Sequence, residues 1–273
     1  MRFVTFDAGD GPRAGLLAGE MVTEVGNDLL DLIREGPLGT EHHALAEPVS
    51  ITEIGVLPPI LRPGKIICIG LNYLTHAKEA GQEPPEVPTF FAKFATCLAS
   101  PGSEVALPAA SRKVDYEAEV AFVMGRVAKN VSEADALDYI AGYTLLNDLS
   151  ARDLQFQTPQ WLPGKVFDGS APCGPALVTP DEAGPHDAIE IELTLNGEVM
   201  QSDSTASLIH SIPALVAHLS TLMTLEPGDI VSTGTSAGVG SLRDPKVWLK
   251  AGDEIVISSP TLGVLQTRMG EPA

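Results

Sequence analysis

The chain has 273 residues, 44% of them hydrophobic, and 17 Lys and Arg against 36 Asp and Glu leave a formal charge of −19. That length buries a sizeable core and suits one large domain with a small appendage; the acidity excludes nucleic acid and anionic membrane surfaces as expected partners, since both need a basic patch. No apolar run reaches the ~18 residues of a membrane span, and the start, MRFVTFDAGDGPRAG, lacks the apolar segment of a secretory signal, so a cytoplasmic location is expected.

Residues 1–60 read as a small leading α+β region. RFVTF and GLLAGEMVTEV are short strands, and Asn27 is placed to cap a helix through Arg34, with Leu29, Leu30 and Ile33 inward and Gly36 beyond its end. The proline-rich LPPILRPGK marks a boundary, after which residues 61–273 form the main domain. KIICIG is a strand ending at Gly70. Residues 72–80 form a short helix inside a long polar loop suited to a mobile lid, with His76 and Glu79 as i,i+3 neighbours. TFFAKF is a strand carrying Lys93 among aromatics. NVSEADALDYIAGY predicts a helix from about Glu133, with Ser132 and Asp135 at the spacing of a cap. TLLNDLSARDLQ is a strand ending in polar residues. An Asn196–Gly197 pair between alternating segments predicts a hairpin, and Ile212, Leu215, Val216, Leu219 and Leu222 have helical spacing with Pro213 in the first turn. DIVST, EIVIS and GVLQTRM are closing strands. Strands predominate without a βαβ rhythm, which predicts a mixed, mainly β fold with some α.

The stretch with most chemical content is VDYEAEVAFVMG, residues 114–125. Its period of two is that of a strand, which puts Glu117 and Glu119 on one face, about 6.6–6.8 Å apart along the backbone. Two carboxylates that close repel unless a cation or proton lies between them, and nothing basic lies within the stretch. A divalent metal and a solvated carboxylate face both account for the motif. Asp148, where LLNDLSARD turns polar, is a candidate third acid or a turn residue; three carboxylates without thiolates favour a hard cation, Mg²⁺ or Mn²⁺. Lys165 in GKVFDG is a candidate partner for an enolate or a substrate carboxylate, or a surface lysine. Gly234–Thr235, where DIVST runs into a glycine-rich turn, offers N–H groups and a hydroxyl to an anion, or is an ordinary glycine loop. His76 and Glu79 are a candidate acid/base pair, or solvated loop residues. Cys68, Cys97 and Cys173 are odd in number and form no CxxC, so each is expected to be a small buried apolar side chain.

Taken in order, GLNYLTHAKEAG, FFAKF, VDYEAEVAFVMG, GYTLLNDLSARDLQ, GKVFDGSAPCGPALVT, LNGEVMQSDST, LEPGDIVSTGTSAGVG and LKAGDEIVI resemble the fumarylacetoacetate hydrolase superfamily over about residues 62–268. The resemblance implies a rolled β-sheet or β-barrel catalytic domain, with Mg²⁺ or Mn²⁺ held by Glu117, Glu119 and Asp148. It makes Lys165 the stabiliser of a developing enolate, Gln155, Gly234 and Thr235 substrate contacts, and His76–Glu79 a lid dyad that activates water. It further implies a homodimer and a role in aromatic catabolism. The expected activity is metal-dependent hydrolysis of a carbon–carbon bond in an acylpyruvate-like or other β-dicarbonyl 2-oxo acid. Decarboxylation, isomerisation or lyase cleavage through the same enolate is the alternative, and non-catalytic binding of a 2-oxo acid the third reading. Two positions depart from the pattern. Leu71 stands where some relatives acting on small oxo-dicarboxylates carry Arg, which weighs against a substrate such as oxaloacetate, and Ser236 replaces the commoner Pro of the glycine turn.

Overall fold

A strand buried on both faces needs apolar residues at successive positions, and Ala118–Met124 supplies them. In the computed structural model, which describes residues 1–273, every residue of this strand is buried. Val120, Phe122 and Met124 enter one hydrophobic core, and Ala121 and Val123 enter a second core on the opposite face. The strand pairs antiparallel with Ile140–Asn147 on one side and Ile230–Thr235 on the other. From there the main sheet runs through Ile66–Gly70 to Thr89–Lys93 at one edge, and through Ala171–Val178 to the N-terminal strands at the other. Arg2–Asp7 pairs with Ala171–Val178, so the leading strands hydrogen-bond directly onto this sheet. The sheet's path ends at Val49–Ser50 and Thr89–Lys93 and does not close on itself.

A second, five-stranded sheet is built from Glu104–Ala106, Glu190–Leu195, Glu198–Ser204, Glu254–Ser259 and Gly263–Gly270. Leu193, Ile255, Ile257 and Leu265 of this sheet join Val120 and Phe122 in the larger core. Asn196 and Gly197 adopt φ of 52° and 83°, the paired positive values a tight hairpin turn requires. Helix Ile212–Leu222 begins with the Ser211 hydroxyl accepting from Ala214 N–H and lays Leu215, Val216 and Leu219 into the same core, while Leu222 is exposed at its end.

Two local expectations shift. The N-terminal helix spans Leu29–Glu35 and its cap is Asp28, whose carboxylate accepts from Leu30 N–H; Asn27 lies one residue outside. The helix expected from Glu133 is only a single 3-10 turn, Ala136–Tyr139. Ser132 Oγ donates to the Asp135 carboxylate at 2.7 Å instead of capping a backbone N–H, and Leu137 is exposed, so no apolar stripe sustains a longer helix. All three cysteines are buried and free. No helix is long and apolar enough to cross a membrane.

Candidate active site

Glu119 shares its strand face with Ala121 and Val123 and is paired in the ladder, but the ladder is interrupted at Tyr116 and Glu117. Val114–Asp115 pairs separately with Ser150–Ala151, and Glu117 lies in the gap. There its N–H donates to Asn147 Oδ1 at 3.1 Å and its carbonyl accepts from Asp148 N–H at 2.9 Å. The antiparallel register Ala118↔Asn147 therefore carries Asp148 beside the glutamates. One carboxylate oxygen from each of Glu117, Glu119 and Asp148 lies within 4.8 Å of the others, and all three residues are buried. A wet carboxylate face is excluded.

The neutralising charge absent from the stretch arrives from elsewhere in the chain. Lys165 Nζ lies 2.6 Å from Glu117 Oε2 and 2.8 Å from Asp148 Oδ2. Arg152 Nη2 lies 2.7 Å from Glu117 Oε1, and Arg152 Nε donates to Asp115 Oδ2 at 2.9 Å. Lys93 Nζ is 2.9 Å from Asp148 Oδ1, yet its donors are directed at the carbonyls of Lys165, Ser170 and Leu149 and at the Ser170 hydroxyl. Asp148 Oδ1 therefore feels that charge while accepting no hydrogen bond. Glu119 has no cationic partner: Ser232 Oγ and Gly234 N–H, the latter at 3.2 Å, are donors to its Oε2. Four buried acids, Asp115, Glu117, Glu119 and Asp148, thus face three bases, Lys93, Arg152 and Lys165.

The ionisation pattern follows from this imbalance. Burial pushes Glu117 upward, but the charges of Arg152 and Lys165 outweigh it and hold the carboxyl well below the usual carboxylate range. Burial, joined by the neighbouring Asp148 and Glu117 carboxylates, drives Glu119 well above that range. Burial would lower Lys165, yet Asp148 and Glu117 hold its ammonium charged above the ordinary lysine value. An under-compensated carboxylate, an acceptor atom without a hydrogen bond and an all-oxygen donor set are what a hard divalent cation would satisfy. Glu117, Glu119 and Asp148 are the residues fitted to hold it.

These groups line a cavity of about 240 Å³ with apolar walls from Ile69, Leu71, Phe91 and Trp161. Lys165 Nζ sits 4.7 Å from the centre of the Phe91 ring. Gln155 is buried in the lining, its Oε1 accepting from Arg152 Nη1 at 3.0 Å, which leaves its amide N–H₂ for a ligand. His76 also faces the cavity from helix Leu74–Glu79, with Nδ1 3.3 Å from Glu79 Oε2, and Glu79 Oε1 accepts from Gly238 N–H at 2.9 Å. The lid helix is thereby fastened to the glycine-rich turn. Thr235 lines the cavity, although its hydroxyl is already held between Gln201 Nε2 and the Ala118 carbonyl. Gly234 does not line the cavity, because its N–H serves Glu119; its φ is +92°, and a Cβ there would come within 2.9 Å of the Ile69 carbonyl.

The residues missed in the sequence are those that balance the charge. Arg152 stands four positions after Asp148, and Asp115 two before Glu117, both inside motifs singled out for other members. Lys93, embedded in an apolar strand, carried the clearest signal, since a buried ammonium must have polar partners.

The family model described as "Fumarylacetoacetate (FAA) hydrolase C-terminal" matches residues 65–269. The chain belongs to the fumarylacetoacetate hydrolase family. It is 42% identical over 237 residues to the human protein named "Oxaloacetate tautomerase FAHD2A, mitochondrial", an alignment covering 85% of this chain and 75% of that one. Among solved structures, fumarylacetoacetate hydrolase from the psychrophile Exiguobacterium antarcticum superposes with a TM-score of 0.89 at 31% identity, covering 99% of both chains. The 5-carboxymethyl-2-hydroxymuconate delta-isomerase of Mycobacterium smegmatis does so at 0.84 and 31%, covering 99% of this chain and 100% of that one. The chain is thus an enzyme of the fumarylacetoacetate hydrolase family, a group whose members here bear the names of tautomerases, isomerases and hydrolases.

Proposed function

We propose that this enzyme interconverts tautomers of a small 2-oxo acid through an enolate, with oxaloacetate the first substrate to test. The observation that carries the reading is the buried Lys165 ammonium, wedged between Glu117 and Asp148 and facing the cavity. A positive charge fixed in a water-poor site is worth most where negative charge develops, as on the oxygen of an enolate. Glu117, Glu119 and Asp148 would hold one divalent cation, Mg²⁺ or Mn²⁺, which when bound supplies a Lewis acid to the 2-oxo carboxylate.

The remaining work falls to the chain. In the enol-to-keto direction the enol hydroxyl gives its proton to solvent as the substrate binds as the enolate, and the adjacent carbon gains one from the protonated His76, which solvent then reprotonates. Lys165 stabilises the oxygen in between. His76, with Nδ1 turned to Glu79, has Nε2 free to deliver the proton to carbon or to take it away in reverse. Gln155 supplies an amide donor to the bound acid, and the Phe91 and Trp161 rings give the cavity apolar walls beside Lys165. The cavity is smaller than the roughly 300–1,000 Å³ usual for drug-sized ligands, which favours a compact substrate. The named activity of the human relative supports tautomerisation and offsets the weight given to Leu71 against oxaloacetate.

Hydrolysis of an acylpyruvate-like acid is the second reading. It is favoured by the His76–Glu79 pair, which can equally activate water, and by the likeness to the Exiguobacterium hydrolase. Enol absorbance followed against product acids separates the two. Loss of absorbance with carbon number conserved supports tautomerisation, and two carboxylic acid products per turnover support hydrolysis.

A further inference from the structure

The chemistry proposed above leaves one charged lining residue of the cavity, Lys246, without a role. Three lining side chains carry a full positive charge: Lys165, Arg152 and Lys246. The first two are each bridged to two carboxylates. Lys246 has no carboxylate within ion-pair distance, in a chain where acids outnumber bases 36 to 17. Its Nζ donates to the Ser241 carbonyl at 2.8 Å and stands 6.0 Å from the centre of the Trp248 ring. Two of its three N–H groups therefore remain for another acceptor.

The turn that carries Lys246 is held down. Gly240 and Ser241 N–H donate to Asp115 at 2.7 and 3.0 Å, Val247 N–H donates to the Gly240 carbonyl at 3.0 Å, and Leu249 N–H to the Val114 carbonyl at 2.9 Å. Asp115 is the same carboxylate that holds Arg152, so the turn and the charged floor share one anchor. Lys246 is exposed, which places it towards solvent, whereas Lys165 is buried beside the carboxylate triad. The cavity thus offers a buried, carboxylate-bridged ammonium at Lys165 and an exposed, uncompensated one at Lys246.

We propose that Lys246 binds a second anionic group, remote from the 2-oxo acid, and makes the enzyme selective for dianionic over monoanionic substrates of equal length. This rests on the proposed enolate chemistry of the inner site. It also supplies, from the segment after the Gly240–Leu242 turn, a positive charge that Leu71 does not provide.

The test compares wild type, Lys246→Met and Lys246→Arg with Mg²⁺, on oxaloacetate and on its 4-methyl ester, which lacks only the distal charge. Lys246→Met lowers kcat/KM for oxaloacetate about tenfold, mainly through KM, the size of one partly exposed charge-assisted hydrogen bond. It leaves the ester within about twofold, and Lys246→Arg retains the preference for the diacid. Equal losses on both substrates, or no loss on the diacid, overturn the proposal, while turnover of the ester by Lys246→Met shows the inner site intact. Absence of any turnover refutes oxaloacetate tautomerisation instead. In that event binding, followed by the fluorescence of Trp161 and Trp248, decides the role of Lys246. The proposal stands if Lys246→Met weakens 2-oxoglutarate about fivefold or more and leaves oxalate unchanged, and falls if both shift together or if wild type does not bind 2-oxoglutarate.

Discussion

Replacing Glu119 by Gln keeps the shape of the side chain, and the amide oxygen still accepts from Ser232 and Gly234. Only the charge is lost. With the ligand oxygens of the triad within 4.8 Å of one another, each like-charge pair involving Glu119 costs about 3.5 kcal/mol at an effective dielectric of about 20. Lys165 offsets much of this, leaving a net relief of about 1–3 kcal/mol, or a rise in Tm of roughly 2–6 °C in a chain of this size. A divalent cation at 1,000 times its Kd would add about 4.1 kcal/mol to the wild type and nothing to Glu119→Gln once its site is broken. Thermal unfolding in EDTA and in excess Mg²⁺ or Mn²⁺ should therefore invert the order, with the variant ahead without metal and behind with it. The pH dependence follows the same charge. Because the folded carboxyl of Glu119 is raised, the folded state binds its proton more tightly than the unfolded chain does. Metal-free wild type then loses stability as pH rises from the ordinary carboxylate value through that raised one, and Glu119→Gln lacks this slope. A variant that is less stable in EDTA yet gains as much from metal as the wild type would refute the reasoning.

Lys165→Met strips the ammonium from Glu117 and Asp148; we expect a loss of about 3–5 kcal/mol in denaturant unfolding and, in the folded fraction, a kcat lower by about 10²–10³. His76→Gln should leave the metal-induced rise in Tm unchanged while lowering kcat by about 10²–10⁴; unchanged kinetics would remove the His76–Glu79 pair from the mechanism. Asp115→Asn weakens at once the hold on Arg152 and on the Gly240–Ser241 turn. It should raise KM more than it lowers kcat, and an equal fall in thermal stability with unchanged KM would reduce Asp115 to a structural role.

The carboxylate pair was legible because a period of two in residues 114–124 fixes which side chains share a face, whatever the strand's neighbours. Asp148 was legible as a type of residue in a suggestive place, but its approach to Glu117 depends on the pairing of Ala118 with Asn147, a contact that only the sheet creates. The charge balance was the least legible part. Arg152, Lys165 and Lys93 reach the acids from three separate segments, so the absence of a base within residues 114–125 said nothing about the folded site. Propensity also misled where tertiary contacts were missing: residues 133–139 have a helical spacing and a cap-like pair, yet with Leu137 exposed they bury too little to extend beyond one turn. Conversely, helix Ile212–Leu222 combined an early Pro with an apolar stripe that meets the core, and its position was readable from those two signals, with the Ser211 cap added by the structure.

The most direct test of the central claim is proton exchange at the carbon next to the 2-oxo group. Oxaloacetate and an acylpyruvate would be followed by ¹H NMR in D₂O with catalytic amounts of enzyme, in Mg²⁺ and in EDTA, for wild type and Glu119→Gln. The account predicts enzyme-dependent exchange with at least one of these acids, present with Mg²⁺ and lost both in EDTA and in the variant. Exchange no faster than without enzyme, or as fast in EDTA and in Glu119→Gln as in the wild type with Mg²⁺, would contradict it.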